Sequence, residues 1–539
     1  MRENREARRS PVGVDAAPPG LPGWQVGAGA GREGKAVGRK PSMNGRRESD
    51  SRVVPAKLAN NAGGSAAEPV EERRLDKGST DQQTAPRTQR RDHGASSALD
   101  RVRQVASVDR DARFTALLHH VGVERLRAAY RALSPNAAAG VDAVTWESYG
   151  QDLEVRLRDL HDRVQRGAYR AKPSRRVYIP KADGRLRPLG IAALEDKIVQ
   201  RAVVEVLNAI YETDFLGFSY GFRPGRGPHD ALDALVVGIE RKKVNWVLDA
   251  DIRDFFTSLD HSWLVRFLEH RIADRRVLRL IQKWLRAGVI EDGAWSASES
   301  GSPQGATVSP LLANVYLHYV FDLWAQQWRR RHARGEVIIV RYADDVVLGF
   351  QHQSDAERFR KDLADRLARF GLSLNADKTR LIRFGRFAAQ QRAERGLGRP
   401  ETFEFLGFTH HCATTKDGRF AVRRRTIAKR MAAKLRETKV LLMQRRHWPI
   451  QAQGRWLGAV VRGHLAYYSV PGNIHQVTAF RDQLVRHWYR ALRRRGQRHR
   501  LNWQKMRRHA ERWLPPSRYM HPWPNERFDA RTQVRSPVR

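Results

Sequence analysis

Between residues 337 and 350 the chain reads VIIVRYADDVVLGF, so two runs of β-branched and apolar residues meet at adjacent acids, Asp344 and Asp345. Such runs joined by a polar pair predict a hairpin with Tyr342-Ala343-Asp344-Asp345 at its tip. Two neighbouring carboxylates repel one another unless a cation binds them. An Asp-Asp pair is also ordinary turn chemistry, so the dipeptide alone leaves a turn and a metal site both open. Upstream, NWVLDADIRDFFTSLDH reads as a strand ending in Asp249, Asp251 and Asp254. Three Asp on neighbouring strands can hold two Mg²⁺ ions about 4 Å apart, one activating a 3′-hydroxyl and one neutralising a leaving pyrophosphate. All-oxygen ligation suits Mg²⁺ rather than zinc.

Charge narrows the partner. The 539 residues carry 99 Lys and Arg against 58 Asp and Glu, a formal net charge of +41. Such a field asks for a polyanion. It is also concentrated, since residues 421–510 hold 23 Lys or Arg and only two acids, Glu437 and Asp482. Trp456, Tyr467, Tyr468, Trp488, Tyr489 and Trp503 are interleaved with these bases. The pattern suits a nucleic-acid face with rings for stacking, although each ring taken singly is more often core. A lone cysteine, Cys412, excludes a disulfide framework and a four-Cys zinc site and fits a reducing compartment. No apolar run reaches the roughly 18 residues that span a bilayer, and the N-terminus lacks a signal-like apolar stretch. The expectation is a cytoplasmic protein with no membrane partner.

Length predicts about three or four folded units at about 150 residues each. Residues 1–95 contain only ten Leu, Ile, Val or Phe and are expected to form a disordered basic leader. From ALDRVRQVA onward, residues 96–170 show helical periodicity. Residues 171–415 alternate strand-like runs (RRVYIP, NWVLDADI, EVIIVRYADDVVLGF) with helical ones, the pattern of an α+β domain. In one helix Leu194, Ile198, Ala202, Val206 and Ile210 share a face with Val199, Val203 and Leu207, while Glu195, Lys197 and Arg201 turn outward. Residues 416–515 read as a basic helical domain and 516–539 as a basic tail.

In order along the chain stand RRVYIPKADGRLRPLGI, SYGFRPGR, DADIRDFF, GSPQGATVSPLLANVYLH, RYADDVVLGF, LNADKTRLIRFG, TFEFLGF and VVRGHLAYYSVPGN. Singly each is weak, but as an ordered set they are specific. The set resembles the group II intron-encoded reverse transcriptases, or intron maturases, from about Val53 to the C-terminus. The resemblance implies a right-hand polymerase, with fingers and palm built on antiparallel sheet, followed by an α-helical thumb and maturase domain. It implies RNA-directed DNA synthesis on intron RNA during retrohoming, and help in splicing that RNA. The implied partners are group II intron RNA, an RNA template with a DNA primer, a DNA target and dNTPs. The oligomeric state, a dimer included, stays open.

Carried over by motif, the metal-binding acids are Asp251, Asp344 and Asp345, with the backbone carbonyl of Ile252 as a further ligand. Asp249, on the same side of its strand, remains a competitor. Phe256 is similar to the steric gate that excludes a ribose 2′-hydroxyl, whereas Phe255 fits the core better. Lys181 and Arg187 resemble the residues that grip the incoming triphosphate. Gln304 and Gly305 resemble the lining of the nucleotide pocket. Lys378 resembles the lysine that protonates pyrophosphate. Phe405, Leu406, Gly407 and Phe408 resemble the loop that positions the primer end.

Two departures bear on local shape: Ala139 and Ala143 stand where relatives usually carry Pro and Gly, and Gly227-Pro228 replaces small non-Pro residues. With one cysteine, no Cys-paired endonuclease domain of the His-Asn-His type is expected, which favours insertion primed from an existing nick or fork. Residues 1–42 read as an overextended start before Met43. Two alternatives stand beside the main reading: a maturase whose polymerase is idle, and a reverse transcriptase recruited to defence or diversification.

Overall fold

The structure, a computed structural model, describes residues 93–180, 186–291, 294–297, 300–301, 305–496 and 501–535. The expected leader and the reading of Met43 as a start fall outside these residues, except that positions 93–95 open a helix. The chain is mixed α and β, as expected.

Helix α1 (His93–Val108), α2 (Val123–Ala132) and α3 (Leu153–Gln165) precede the strands. Strands β1 (Ser174–Pro180) and β2 (Leu186–Ile191) pair antiparallel and lead into α4 (Leu194–Asp214). In α4 the expected apolar face is buried, with Ile198, Ala202 and Ile210 wholly enclosed. Asp196 and Gln200 are buried as well. Periodicity missed them because each has a specific partner: Asp196 accepts from the Tyr169 hydroxyl and the Lys172 N–H, and Gln200 from Val308 N–H.

Helix α5 (Pro228–Arg241) opens on Gly227, whose N–H donates to Asp230 Oδ2 at 2.8 Å. Proline at the first helical position costs no hydrogen bond, so the Gly-Pro departure is compatible with a normal helix start. Ala143, the other departure, holds φ at +55°, where glycine would be unstrained.

Strand β3 (Trp246–Asp251) follows, then short strands β4 (Val289–Glu291) and β5 (Ala294–Ser296). Helix α6 (Ser309–Leu317) passes through a π-helical turn, His318–Asp322, into α7 (Leu323–Arg331). Strands β6 (Val337–Tyr342) and β7 (Asp345–Phe350), helix α8 (Gln353–Ala368) and strand β8 (Arg380–Arg383) complete a four-stranded sheet in the order β6-β7-β3-β8. All its pairs are antiparallel. The sheet β2-β1-β4-β5 contains one parallel pair, β1 with β4, so the expected antiparallel sheet is mixed at that one place.

The sheet β6-β7-β3-β8 is covered on both faces. Val346, Leu348, Ile339 and Leu248 join a core with α4 and α6, whereas Val347, Val340 and Val247 join a second core with the C-terminal helices. Successive side chains point to opposite faces, so cover on both sides makes the strands read as unbroken apolar runs.

Strands β9 (Phe403–Phe405), β10 (Phe408–Thr414) and β11 (Phe420–Thr426) form a third sheet. The boundary expected at 415 cuts the β10–β11 hairpin, and the change to helices comes only at α9 (Ala428–Gln444). Helices α10 (Ile450–Tyr468), α11 (Ile474–Arg493) and α12 (Trp503–Trp513) follow. The tail expected over 516–539 is corrected in part: Pro524–Arg535 is helix α13, laid along α5. Arg527 meets Asp233 at 3.3 Å, Arg531 meets Asp230 at 3.1 Å and Asp529 meets Arg241 at 2.7 Å. Paired acids on α5 neutralise a stretch whose composition alone reads as solvated charge.

Candidate active site

The hairpin forms as expected. Tyr342 pairs with Asp345 across β6 and β7, leaving Ala343 and Asp344 as a two-residue turn. Asp251 ends β3 directly opposite Asp345. The register therefore brings the three acids of the two motifs to one end of one sheet. Burial pushes the Asp344 carboxyl up to about 6, reinforced by Asp251 and opposed by Arg187 and Lys378. Asp345 is raised well above the usual carboxylate range by burial, then by Asp344, Asp251 and Asp249. Asp249 itself is pushed up to about 7, chiefly by burial, with Arg380 at 3.8 Å opposing.

Asp251 is held from the loop before β8. Its carboxylate accepts from Asn375 Nδ2 at 3.0 Å and from Lys378 Nζ at 3.1 and 3.2 Å. Its carbonyl accepts from Asn375 N–H at 2.8 Å. Among the described residues no three acid, His or Cys side chains are gathered closely enough to hold a metal ion as they stand. The Lys378 ammonium instead supplies the positive charge beside Asp251. Oxygen donors that raise one another's pKa are nevertheless chemically suited to a hard divalent cation.

Of the other expected site residues, Arg187 lies near enough to Asp344 to lower its pKa. Gly305 takes φ +107° and packs so closely on β2 that a Cβ would meet Gly190 O at 2.7 Å. Ile252 is buried and bridges to Leu374. Phe255 and Phe256 are both buried, edge-on to each other at 5.3 Å, and Phe255 also meets Tyr316. Lys181 and Gln304 lie outside the described residues.

In the turn 405–408, Phe405 and Phe408 are core residues paired across β9 and β10. Leu406 takes φ +43° and Gly407 φ +86°. Leu406 O accepts from the Tyr467 hydroxyl at 2.9 Å. A Cβ on Gly407 would lie 3.2 Å from Arg430 Nη1. Arg430 also lowers the pKa of Asp345, so it links this turn to the acids. Asn375 and Arg380 lie in the LNADKTRLIRFG motif, which does not single them out, and Arg430 lies outside the motifs. Their role comes from folding, since as isolated residues they look like surface polar groups.

The six aromatics of the basic segment separate. Trp488, Tyr467 and Tyr468 are buried in the core shared with the sheet. Trp503 is 46% exposed and stacks on Tyr489 at 4.2 Å. Arg445 lies 4.7 Å from the Trp456 ring and 4.8 Å from that of Trp448, which is also exposed. Bases over open rings suit contact with nucleic acid. No helix among the described residues is long and apolar enough to cross a membrane.

Comparison with known proteins adds an independent line. Residues 179–410 match the family described as reverse transcriptase (RNA-dependent DNA polymerase). Protein YkfC of Escherichia coli K12 is 37% identical over 277 residues, which is 45% of this chain and 71% of that protein. Group II intron-encoded protein LtrA of Lactococcus lactis subsp. cremoris is 34% identical over 222 residues, 41% of this chain and 37% of that protein. The putative COX1/OXI3 intron 1 protein of Saccharomyces cerevisiae is 26% identical over 305 residues, 48% of this chain and 36% of that protein. The chain thus spans little more than a third of the two intron proteins.

Proposed function

The chain belongs to the group II intron-encoded reverse transcriptases and maturases, and from that premise we propose that it copies intron RNA into DNA and assists the splicing of that RNA. The observation that carries this reading is the register pairing of Asp251 with Asp345, beside Asp344 at the tip of the neighbouring hairpin. Asp251, Asp344 and Asp345, with the Ile252 carbonyl, would hold divalent cations, for which Mg²⁺ is the natural choice with oxygen donors alone. Bound there, such ions supply Lewis acidity to the attacking hydroxyl and to the leaving phosphates.

The rest of the site belongs to the chain itself. Arg187 binds the triphosphate through charge-assisted hydrogen bonds, with Lys181 beside it in the motif. Phe256 occupies the space that a 2′-hydroxyl would need and so selects deoxynucleotides. Gln304 and Gly305 line the nucleotide pocket, Gly305 by allowing close backbone approach. Lys378 Nζ, on leaving Asp251, gives a proton to the pyrophosphate oxygen. The turn at Leu406 and Gly407 positions the primer end.

In this reading the sheet β2-β1-β4-β5 serves as fingers, the sheet β6-β7-β3-β8 as palm, and α9–α12 as thumb and RNA-binding maturase surface. Exposed Trp503 and Trp448 with their neighbouring bases support the RNA contact. The test is primer extension on an RNA template with dNTPs and Mg²⁺, run beside a splicing assay. Wild-type protein should make cDNA, and Asp344→Ala/Asp345→Ala should lose it while still aiding splicing. Loss of both activities in a folded variant would count against two separable functions, and no synthesis by the wild type would reject the polymerase.

A further inference from the structure

The residue just before the catalytic hairpin tip, Arg341, is wholly buried although it carries a guanidinium. All five of its side-chain N–H groups have acceptors. Nε donates to Asp322 Oδ1 at 2.7 Å and Nη2 to Asp322 Oδ2 at 2.5 Å. Nη2 also donates to Ser219 Oγ at 2.7 Å, and Nη1 to Asn314 Oδ1 at 3.0 Å. The fifth bond runs from Nη1 to the carbonyl of Ala343, inside the turn, at 3.0 Å.

That last bond matters because Ala343 holds φ at +56°, a conformation that non-glycine residues seldom adopt. The peptide it forms with Asp344 is planar and trans, so pointing Ala343 O at the guanidinium turns the Asp344 N–H the opposite way. That N–H lies near enough to the Asp344 carboxylate to lower its pKa. A second contact supports the turn from outside. Gly221 packs so close that a Cβ there would lie 2.4 Å from Ala343 N, and its carbonyl accepts from Asn314 Nδ2 at 2.7 Å. Asp322 sits at the end of the π-helical turn that joins α6 and α7. Single π turns often mark positions where a helix aims a functional group.

We propose that Arg341, anchored by Asp322 and Asn314, is a positioning residue that holds Ala343 in its left-handed conformation and thereby aims Asp344 into the site. This assigns a role to the SYGFRPGR segment as well: Ser219 and Gly221 are the outer wall of the turn. The inference rests on the polymerase reading above.

The test uses the full chain with Arg341→Lys, alone and combined with Ala343→Gly. Lysine keeps the charge but cannot reach Asp322, Asn314 and Ala343 together. Arg341→Lys should lower kcat for primer extension about 100-fold, as expected of a reacting group misplaced by about 1 Å. KM for dNTP should stay within about twofold, the signature of a lost transition-state interaction. Mn²⁺ binding to the protein, followed by EPR without turnover, should weaken about tenfold. Ala343→Gly in the same chain should restore about tenfold of kcat, because glycine adopts positive φ without being held there. Should Arg341→Lys not fold, Asn314→Ala leaves the Arg341–Asp322 pair in place and should give the same kcat loss at smaller amplitude, again relieved by Ala343→Gly. An active parent whose variants lose dNTP affinity and kcat together, or gain nothing from Gly at 343, overturns the clamp alone. An inactive parent overturns the polymerase reading with it.

Discussion

Asp251 and Asp345 face each other as register partners on adjacent antiparallel strands, with Asp344 next along the turn. Folding thus sets carboxylates against one another, and the raised pKa values of Asp344 and Asp345 record the cost, of burial first and of neighbouring carboxylates second.

That cost gives a pH prediction. Burial pushes Asp344 up to about 6 and Asp249 up to about 7 and holds Asp345 well above the usual carboxylate range, whereas the unfolded chain releases these protons at about 4. Between those values the folded state binds more protons than the unfolded one, so stability falls as pH rises. Thermal melts in EDTA should show wild type losing more stability from pH 5 to pH 8 than Asp345→Asn does. Added Mg²⁺ should raise the wild-type Tm more at pH 8 than at pH 5. An Asp345→Asn variant with the wild-type pH slope would contradict the assignment.

The two adjacent phenylalanines should separate by function. Phe256→Ala should raise the use of rNTPs relative to dNTPs by about tenfold or more, the scale of discrimination a single pocket contact provides. Phe255→Ala, in the core against Tyr316, should cost about 3 kcal/mol of stability and leave sugar selection alone. Competition assays with mixed nucleotides and urea melts read the two effects. Equal sugar selection in both variants would remove Phe256 from the site.

Lys378 touches both oxygens of Asp251 and is itself more than half exposed. If it serves as the proton donor, Lys378→Gln should lower kcat about 100-fold. Tm should hardly move, since an exposed ion pair contributes little. Single-turnover extension across pH would show loss of a limb of the wild-type profile. An unchanged profile would return Lys378 to an ordinary surface lysine.

Where α5, β11 and α13 meet, Asp233 serves two arginines: Arg424 Nη1 donates to Asp233 Oδ1 at 2.7 Å, and Arg527 Nε lies 3.3 Å from Oδ2. Arg424 and Asp233 are both buried. Asp233→Ala should destabilise by about 3–5 kcal/mol, because it leaves a buried guanidinium unpaired. Asp529→Asn, in the exposed pair with Arg241, should leave the melting temperature almost unchanged. Comparable losses in both variants would mean that α13 docks through its surface charges instead.

Several features were legible before folding because their signal is local. Alternation between strand-like runs and an acidic tip reveals the hairpin at Asp344, and i+4 spacing reveals helix α4. Motif order supplied Asp251, Arg187 and Lys378, which folding brings near Asp344. Composition was a poorer guide to the C-terminal segment. Trp488, Tyr467 and Tyr468 sit in the core while Trp503 stays open, and composition does not encode burial. The residues after 515 looked like a solvated tail because their ion-pair partners lie on α5, almost 300 positions upstream, as in the 288-residue separation of Arg241 and Asp529.

What the linear order of residues determined was the chemistry available: acids, bases and the turn that presents them. Only the tertiary structure decided that Arg341 would be buried beneath that turn with acceptors 19, 27 and 122 residues distant. The reason is physical: a buried guanidinium is tolerable only when every donor is met, and whether they are met depends on contacts that no local pattern contains.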